Sequence, residues 1–226
     1  MPVLECSRCN ELYYSAVAST EARCEACGGT IWRVFEHEVS LSRVAELPRK
    51  WQPGDHGAVV YKDAEEAGDL CAGFLREGVS RGDRTLSFVP AALQVAVERR
   101  LSPGDREVVE FAEPATTYGR AHGNGFDPQA MADTYVEMVE RSDAPVRFLA
   151  GPDSHSVAAI PLEGWRRFER LAHELVLSLG VIALCVYDAR GLPSGFAPVA
   201  VEAHPLLAGG GEPMHRNPDF EYQPAA

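Results

Sequence analysis

Asp55-His-Gly-Ala-Val-Val-Tyr-Lys-Asp-Ala-Glu-Glu66 is the stretch that decides the fold of this 226-residue chain. Its middle, Ala58-Val-Val-Tyr61, is a short continuous apolar run, the pattern of a parallel strand buried on both faces. Asp63-Ala-Glu-Glu66 follows as a capping box, in which Asp63 accepts first-turn N–H groups and Glu66 reaches back. Ala67, Leu70, Cys71, Phe74 and Leu75 then fall at helical spacing, and Gly82 stops the helix.

The unit recurs downstream. Thr85-Leu-Ser-Phe-Val89 reads as a second strand, Ala91 to Leu101 as a helix and Glu107-Val-Val-Glu-Phe111 as a third strand. Asp127-Pro128 places a cap residue before a first-turn proline, and Met131, Tyr135, Met138 and Val139 line one face of the helix that follows. Pro145-Val-Arg-Phe-Leu-Ala150 is the fourth strand. Leu162 to Leu179 carries Trp165, Phe168, Leu171 and Leu175 on one stripe, ends at Gly180, and leads into Val181-Ile-Ala-Leu-Cys-Val-Tyr187. This alternation predicts a three-layer α/β domain over residues 55–206, a mostly parallel sheet with helices on both faces. Residues 38–54, punctuated by Pro48 and Pro53-Gly54, read as a linker. Residues 207–226, rich in Gly, Pro and polar side chains, read as a flexible tail.

Ahead of the linker, residues 1–37 carry a different signal. Cys6-Ser-Arg-Cys9 and Cys24-Glu-Ala-Cys27 are two Cys-x-x-Cys knuckles, whose thiolates can close tetrahedrally on one Zn²⁺. The competing reading, two disulfides, needs an oxidising compartment, whereas a chain without a secretion signal is expected in a reducing one. So few apolar side chains accompany the cysteines that metal should supply most of the folding free energy, about 10 kcal/mol or more. Four protein ligands leave no open coordination position, so this zinc is expected to be structural, one per chain, and not catalytic.

Charge narrows the partners. Asp and Glu number 33 against 21 Lys and Arg, a formal net charge of -12, which disfavours direct nucleic-acid binding. The knuckle segment is itself net negative and lacks the basic patch of a nucleic-acid ribbon, so a structural or protein-docking role fits it better. No apolar run approaches the ~20 residues that span a bilayer, and a soluble, cytoplasmic protein is the expectation.

The run His56-Gly-Ala-Val-Val-Tyr61, the segment Phe74-Leu-Arg-Glu-Gly-Val-Ser-Arg-Gly-Asp83, Phe126-Asp-Pro-Gln-Ala-Met131, Ala183-Leu-Cys-Val-Tyr-Asp188 and His204-Pro205, taken in order, resemble the MEDS (methanogen/methylotroph sensory) domain. The resemblance covers about residues 55–210. It implies a degenerate RecA/KaiC-like fold and a ligand-sensing role in signal transduction or transcription regulation. In RecA-like relatives the loop after the first strand is a P-loop, G-x-x-x-x-G-K-[ST]. Here the two lysines, Lys50 and Lys62, follow Arg49 and Tyr61, so no Gly-Lys dipeptide exists. The carboxylates of Asp63, Glu65 and Glu66 stand where a phosphate cradle would be, and ATP hydrolysis is not expected.

A fold kept without its nucleotide grip would use the crevice at the carboxyl ends of its strands. The ligand-binding residues expected there are Tyr61, Lys62, Asp153, Ser154, His155, Tyr187 and Asp188. The resemblance adds His56, although that residue begins the first strand and so stands at the opposite end of the sheet from Asp188. Cys71, on a helix stripe, and Cys185, within a strand, read as small core hydrophobes. The favoured function is a non-enzymatic sensory or regulatory protein that binds a small-molecule ligand or a regulatory protein. Two alternatives stay open: acid/base chemistry on a small metabolite by Asp153, His155 and Asp188, and a pocketless interaction scaffold. A homo-oligomer also stays open. The zinc expectation is checked by elemental analysis of purified protein: Cys24→Ser should remove one zinc per chain, and an unchanged zinc content would end the ribbon reading.

Overall fold

A computed structural model of the chain describes residues 3–6, 12–14, 31–34, 50–114, 118, 126–209 and 214–222. The chain divides into two units, Met1–Glu46 and Leu47–Ala226. In the first, strands β1 (Val3–Cys6), β2 (Leu12–Tyr14) and β3 (Ile31–Val34) form an antiparallel sheet in the order β2-β1-β3. Cys6 ends β1; Cys9, Cys24 and Cys27 lie outside the described residues.

The second unit is the three-layer α/β domain. Its strands are β4 (His56–Tyr61), β5 (Arg84–Phe88), β6 (Glu110–Phe111), β7 (Val146–Ala150), β8 (Ile182–Asp188), β9 (Leu206–Gly209) and β10 (His215–Arg216). They lie in the order β10-β9-β4-β8-β7-β5-β6, parallel throughout except for the β9–β10 pair. The helices are α1 (Ala64–Arg81), α2 (Ala91–Glu98), α3 (Pro103–Val108), α4 (Pro128–Glu140), α5 (Ser154–Val157), α6 (Leu162–Leu179) and α7 (Phe196–Ala203).

The side-chain alternation of each strand assigns its two faces. Val59 and Tyr61 of β4, Leu149 of β7, and Ile182, Leu184 and Val186 of β8 pack against Ala67, Cys71, Phe74 and Leu75 of α1 and Leu93 and Val97 of α2. The complementary residues pack on the other side: Ala58 and Tyr187 meet Met131, Trp165, Phe168, Phe196 and Val199 of α4, α6 and α7, while Phe148 and Ala183 meet Val176 of α6. α1 begins and ends where the sequence places it. Asp63 accepts the Glu65 N–H at 2.9 Å, without the return hydrogen bond from the Glu66 side chain that a capping box would have, and Gly82 closes the helix in the left-handed conformation at φ 76°.

Three expectations are corrected. The third strand is not Glu107–Phe111: Ser102, Pro103 and Asp105 build a capping box with a first-turn proline, so residues to Val108 coil as α3 and only Glu110–Phe111 pair with β5. The buried face of α6 is Trp165, Phe168, Glu169, His173 and Val176, with Leu171 and Leu175 only half-buried. The stretch from 207 does not begin as a tail, because β9 pairs in parallel with β4 from Gly57↔Leu206 to Val60↔Gly209. The Asn217 side chain then donates to the Val201 and His204 carbonyls at 2.7 and 2.9 Å, tying residues 214–222 to the end of α7.

One charge lies wholly inside. Arg147 of β7 is 0% exposed beneath α1. Its guanidinium donates to the Asp83 carboxylate through Nε at 3.0 Å and to the Phe74 carbonyl through Nη1 at 3.0 Å, and it lies 4.8 Å over the Phe74 ring. A Cβ at Gly78 would come within 2.7 Å of Arg147 and Thr85, so glycine lets α1 settle onto this pair. Asp83→Asn leaves that guanidinium buried with only the more distant Glu77 carboxylate, at 3.6 Å, as counter-charge and should cost about 3 kcal/mol. A urea midpoint for Asp83→Asn equal to that of the parent would show that the pair does not hold α1 to the sheet.

Candidate functional site

The strand carboxyl ends do not gather the residues expected there. Tyr61 turns into the core under α1, where burial raises its phenol well above the ordinary range. Lys62, Ser154 and His155 are exposed. Asp153 caps the single turn α5, accepting the Ser156 N–H at 2.6 Å. Asp188 accepts the Arg190 and Gly191 N–H groups at 2.9 and 3.0 Å and so closes the turn after β8. Among the described residues no hydrogen bond joins Asp153, His155 and Asp188. Gly151 has its own reason for being glycine: a Cβ there would lie 2.3 Å from the Val186 side chain and 2.4 Å from the Val186 carbonyl oxygen, so β7 leaves the sheet hard against β8.

His56 and Tyr187 of the expected set do come together, elsewhere. The parallel register pairs His56 with Ala183 and Tyr61 with Asp188, which sets His56 and Asp188 at opposite ends of the sheet. On the face packed against α6 and α7, His56, Cys185 and Tyr187 project toward Glu169 and His173 of α6 and His204 at the end of α7. His56 Nε2 lies 3.5 Å from Cys185 Sγ, and His56 Nδ1 lies 3.2 Å from His173 Nδ1. The His56 and His204 rings are 4.1 Å apart between centroids. The Tyr187 hydroxyl donates to Glu169 Oε1. His204 Nδ1 donates to the Ala200 carbonyl at 2.7 Å, which fixes the tautomer of the neutral ring and leaves Nε2 as a bare lone pair. That Nε2 faces Glu169 Oε2 across 3.7 Å, beyond hydrogen-bond reach, and neither atom has a hydrogen-bond partner among the described residues.

Burial governs the protonation of the group. His56 and Glu169 are 1% and 2% exposed and His204 0%. Desolvation pushes the Glu169 carboxyl up to about 7, against the opposing pull of the Tyr187 hydroxyl. Burial, together with the neighbouring imidazoles, holds His56 well below the ordinary histidine range, and burial lowers His204 to about 3. The imidazoles are therefore neutral at pH 7. By contrast Cys71, buried under α1 with its thiol pushed up to about 12, is packing alone.

The cluster borders a cavity of about 40 Å³ between the sheet and helices α4 and α6. Apolar side chains, among them Phe148, Ala150, Phe168, Ala172, Val176 and Ala183, line most of it; His56, Glu169, Cys185 and Tyr187, with Tyr118 and Tyr135, complete the lining. On the solvent side, His173 separates His56 from a surface cleft of about 180 Å³ bordered by Arg166, Arg170, Glu202 and Asp219.

The α/β domain thus holds one small, mostly apolar cavity whose lining includes a cluster of buried polar groups. The family described as MEDS, the methanogen/methylotroph, DcmR sensory domain, matches residues 55–205, and the chain belongs to it. Its members are sensory domains, which points to a sensory or regulatory role and away from catalysis. No curated protein matches the chain. Among the described residues, no helix is long and apolar enough to cross a membrane.

Sequence reasoning reached His56 and Tyr187 and missed Glu169, His173, Cys185 and His204 as a group. The available signal was the helical stripe: Glu169 and His173 follow Trp165 at intervals of four, on a face that is otherwise apolar. Tyr187→Phe removes the donor from a buried carboxyl and should lower stability by about 1–3 kcal/mol in urea unfolding at pH 7. An unaltered midpoint would mean that the hydroxyl does not support Glu169.

Proposed function

We propose that the α/β domain senses a small, mainly apolar molecule, held in the cavity between the sheet and helices α4 and α6, and passes the signal to a partner protein. The observation that carries this reading is the cavity itself, apolar over most of its wall and edged by His56, Glu169, Cys185 and Tyr187 in a domain whose family is sensory. Its volume of about 40 Å³ limits an occupant that enters without rearrangement to a few heavy atoms, since one water already needs about 10–15 Å³. The polar edge favours a molecule with one hydrogen-bonding or polarisable group.

A nucleotide is the poorer occupant. Where a P-loop relative would hold phosphates, the first turn of α1 presents Glu65 and Glu66, and Glu65 is engaged by Arg100 at 2.9 Å. The reading therefore treats the domain as a RecA-like frame without the nucleotide grip. The two Cys-x-x-Cys knuckles and the three-stranded antiparallel sheet of the first unit support a structural zinc ribbon in the same chain, for stability or for docking the partner.

The test uses the full chain under xenon pressure and with one- to three-carbon alcohols and halocarbons, read by thermal shift and by NMR of the cavity methyl groups. Binding should raise Tm and shift Val176. Ala183→Leu or Ala172→Leu, which fill the cavity, should abolish both effects, whereas Lys62→Ala and His155→Ala at the strand ends should leave them intact. A response lost in the strand-end variants and kept in the filled ones would move the ligand to the other site and overturn this reading.

A further inference from the structure

Four chain segments deliver four donor atoms to one buried place: His56 from β4, Glu169 from α6, Cys185 from β8 and His204 from the end of α7. One ligand atom of each lies within 4.8 Å of the corresponding atom of every other. A tetrahedral zinc site with bonds of about 2.0–2.3 Å has donor–donor edges of roughly 3.3–3.8 Å, so closing on an ion takes movements of about 1 Å.

The rest of the cluster is arranged as ligand support is. His204 uses Nδ1 to donate to the Ala200 carbonyl, and the Tyr187 hydroxyl holds Glu169 Oε1. His173 lies 3.2 Å from His56 Nδ1. Each of these contacts occupies the atom that would not bind metal and leaves the other one aimed inward. What remains is His56 Nε2, Cys185 Sγ, His204 Nε2 and Glu169 Oε2. With Glu169 ionised, the last two are lone-pair acceptors facing each other at 3.7 Å with no donor between them, both in residues at most 2% exposed. Two acceptors in that position repel unless a cation or a proton joins them, and 3.7 Å is too long for a shared proton.

We propose that His56, Glu169, Cys185 and His204 form a binding site for a divalent cation of the zinc class, separate from the N-terminal cysteines. The charge fits a divalent ion: one thiolate, one carboxylate and two neutral imidazoles cancel 2+, so the loaded centre is neutral and can stay buried. The donor set of two nitrogens, one sulfur and one oxygen suits zinc and excludes magnesium and calcium, which take oxygen ligands. Binding releases the Cys185 proton to solvent. The site takes its ion whether or not the cavity takes an organic ligand, so either proposal can fail alone.

The experiment counts zinc in the full chain after chelator dialysis and re-equilibration with ZnCl₂. The parent should hold two per chain. Changing Cys6, Cys9, Cys24 and Cys27 to Ser should leave one, and Cys185→Ser with His204→Gln, in the parent background, should also leave one. The proposal is overturned if the latter pair of substitutions leaves the count unchanged. It is equally overturned if the chain without the N-terminal cysteines, folded by far-UV circular dichroism, holds none. Should that chain not fold, Co²⁺ loading of the parent decides: Cys185→Ser should remove part of the thiolate-to-cobalt charge-transfer band, and Glu169→Gln should weaken the second equivalent at least tenfold. Spectra and titrations identical to the parent's in both variants would assign the cluster to a metal-free hydrogen-bonded core.

Discussion

A parallel sheet covered by helices on both faces must satisfy every polar side chain from within, because water reaches neither layer freely. That constraint sorts the buried polar residues of this domain into two kinds. Under α1, Arg147 meets it almost completely, with a carboxylate, a carbonyl and an aromatic face around one guanidinium. Under α6 and α7 the constraint is not met: Glu169 Oε2 and His204 Nε2 are buried with no hydrogen-bond partner among the described residues. Unmet valence of this sort costs stability, about 1–3 kcal/mol for each group.

The fold was legible because its signals are local. Asp63 and Gly82 bound α1, Asp127-Pro128 starts α4, and apolar runs mark β4, β5, β7 and β8, each read from a few consecutive residues. Where neighbours in space decide, the reading failed. β9 is four residues long and owes its existence to a place beside β4, which no local pattern announces. Glu107-Val-Val has the composition of a strand, but the cap built by Ser102 and Asp105 reaches it first.

The site was less legible for a related reason. Its residues come from four segments separated by as many as 148 positions, so no spacing motif exists to be found. Strand parity was nonetheless within reach: in Ile182-Ala-Leu-Cys-Val-Tyr-Asp188, alternation sets Cys185 and Tyr187 on one face, and parallel pairing with His56 puts that histidine beside them. The rule that ligands collect at strand carboxyl ends concerns sheets open at a crevice. Here Asp153 and Asp188 spend their carboxylates on backbone turns, and Gly151 brings β7 close against β8.

The two layers consequently differ in what they can report. An occupant of the cavity touches α4, α6, β7 and β8 directly, while α1 and α2 lie behind the sheet, with α1 pinned by Arg147 and Asp83. Any ligand shifts a conformational equilibrium only by its differential contacts with the two states. Those contacts can be made only in the layer that borders the cavity. Within that layer Glu169 joins three elements, its own helix, β8 through Tyr187 and the end of α7 across from His204. The end of α7 in turn leads into β9 and is held by Asn217. A change of contacts around Glu169 therefore bears on the β9–β10 edge of the sheet, the side remote from β5 and β6.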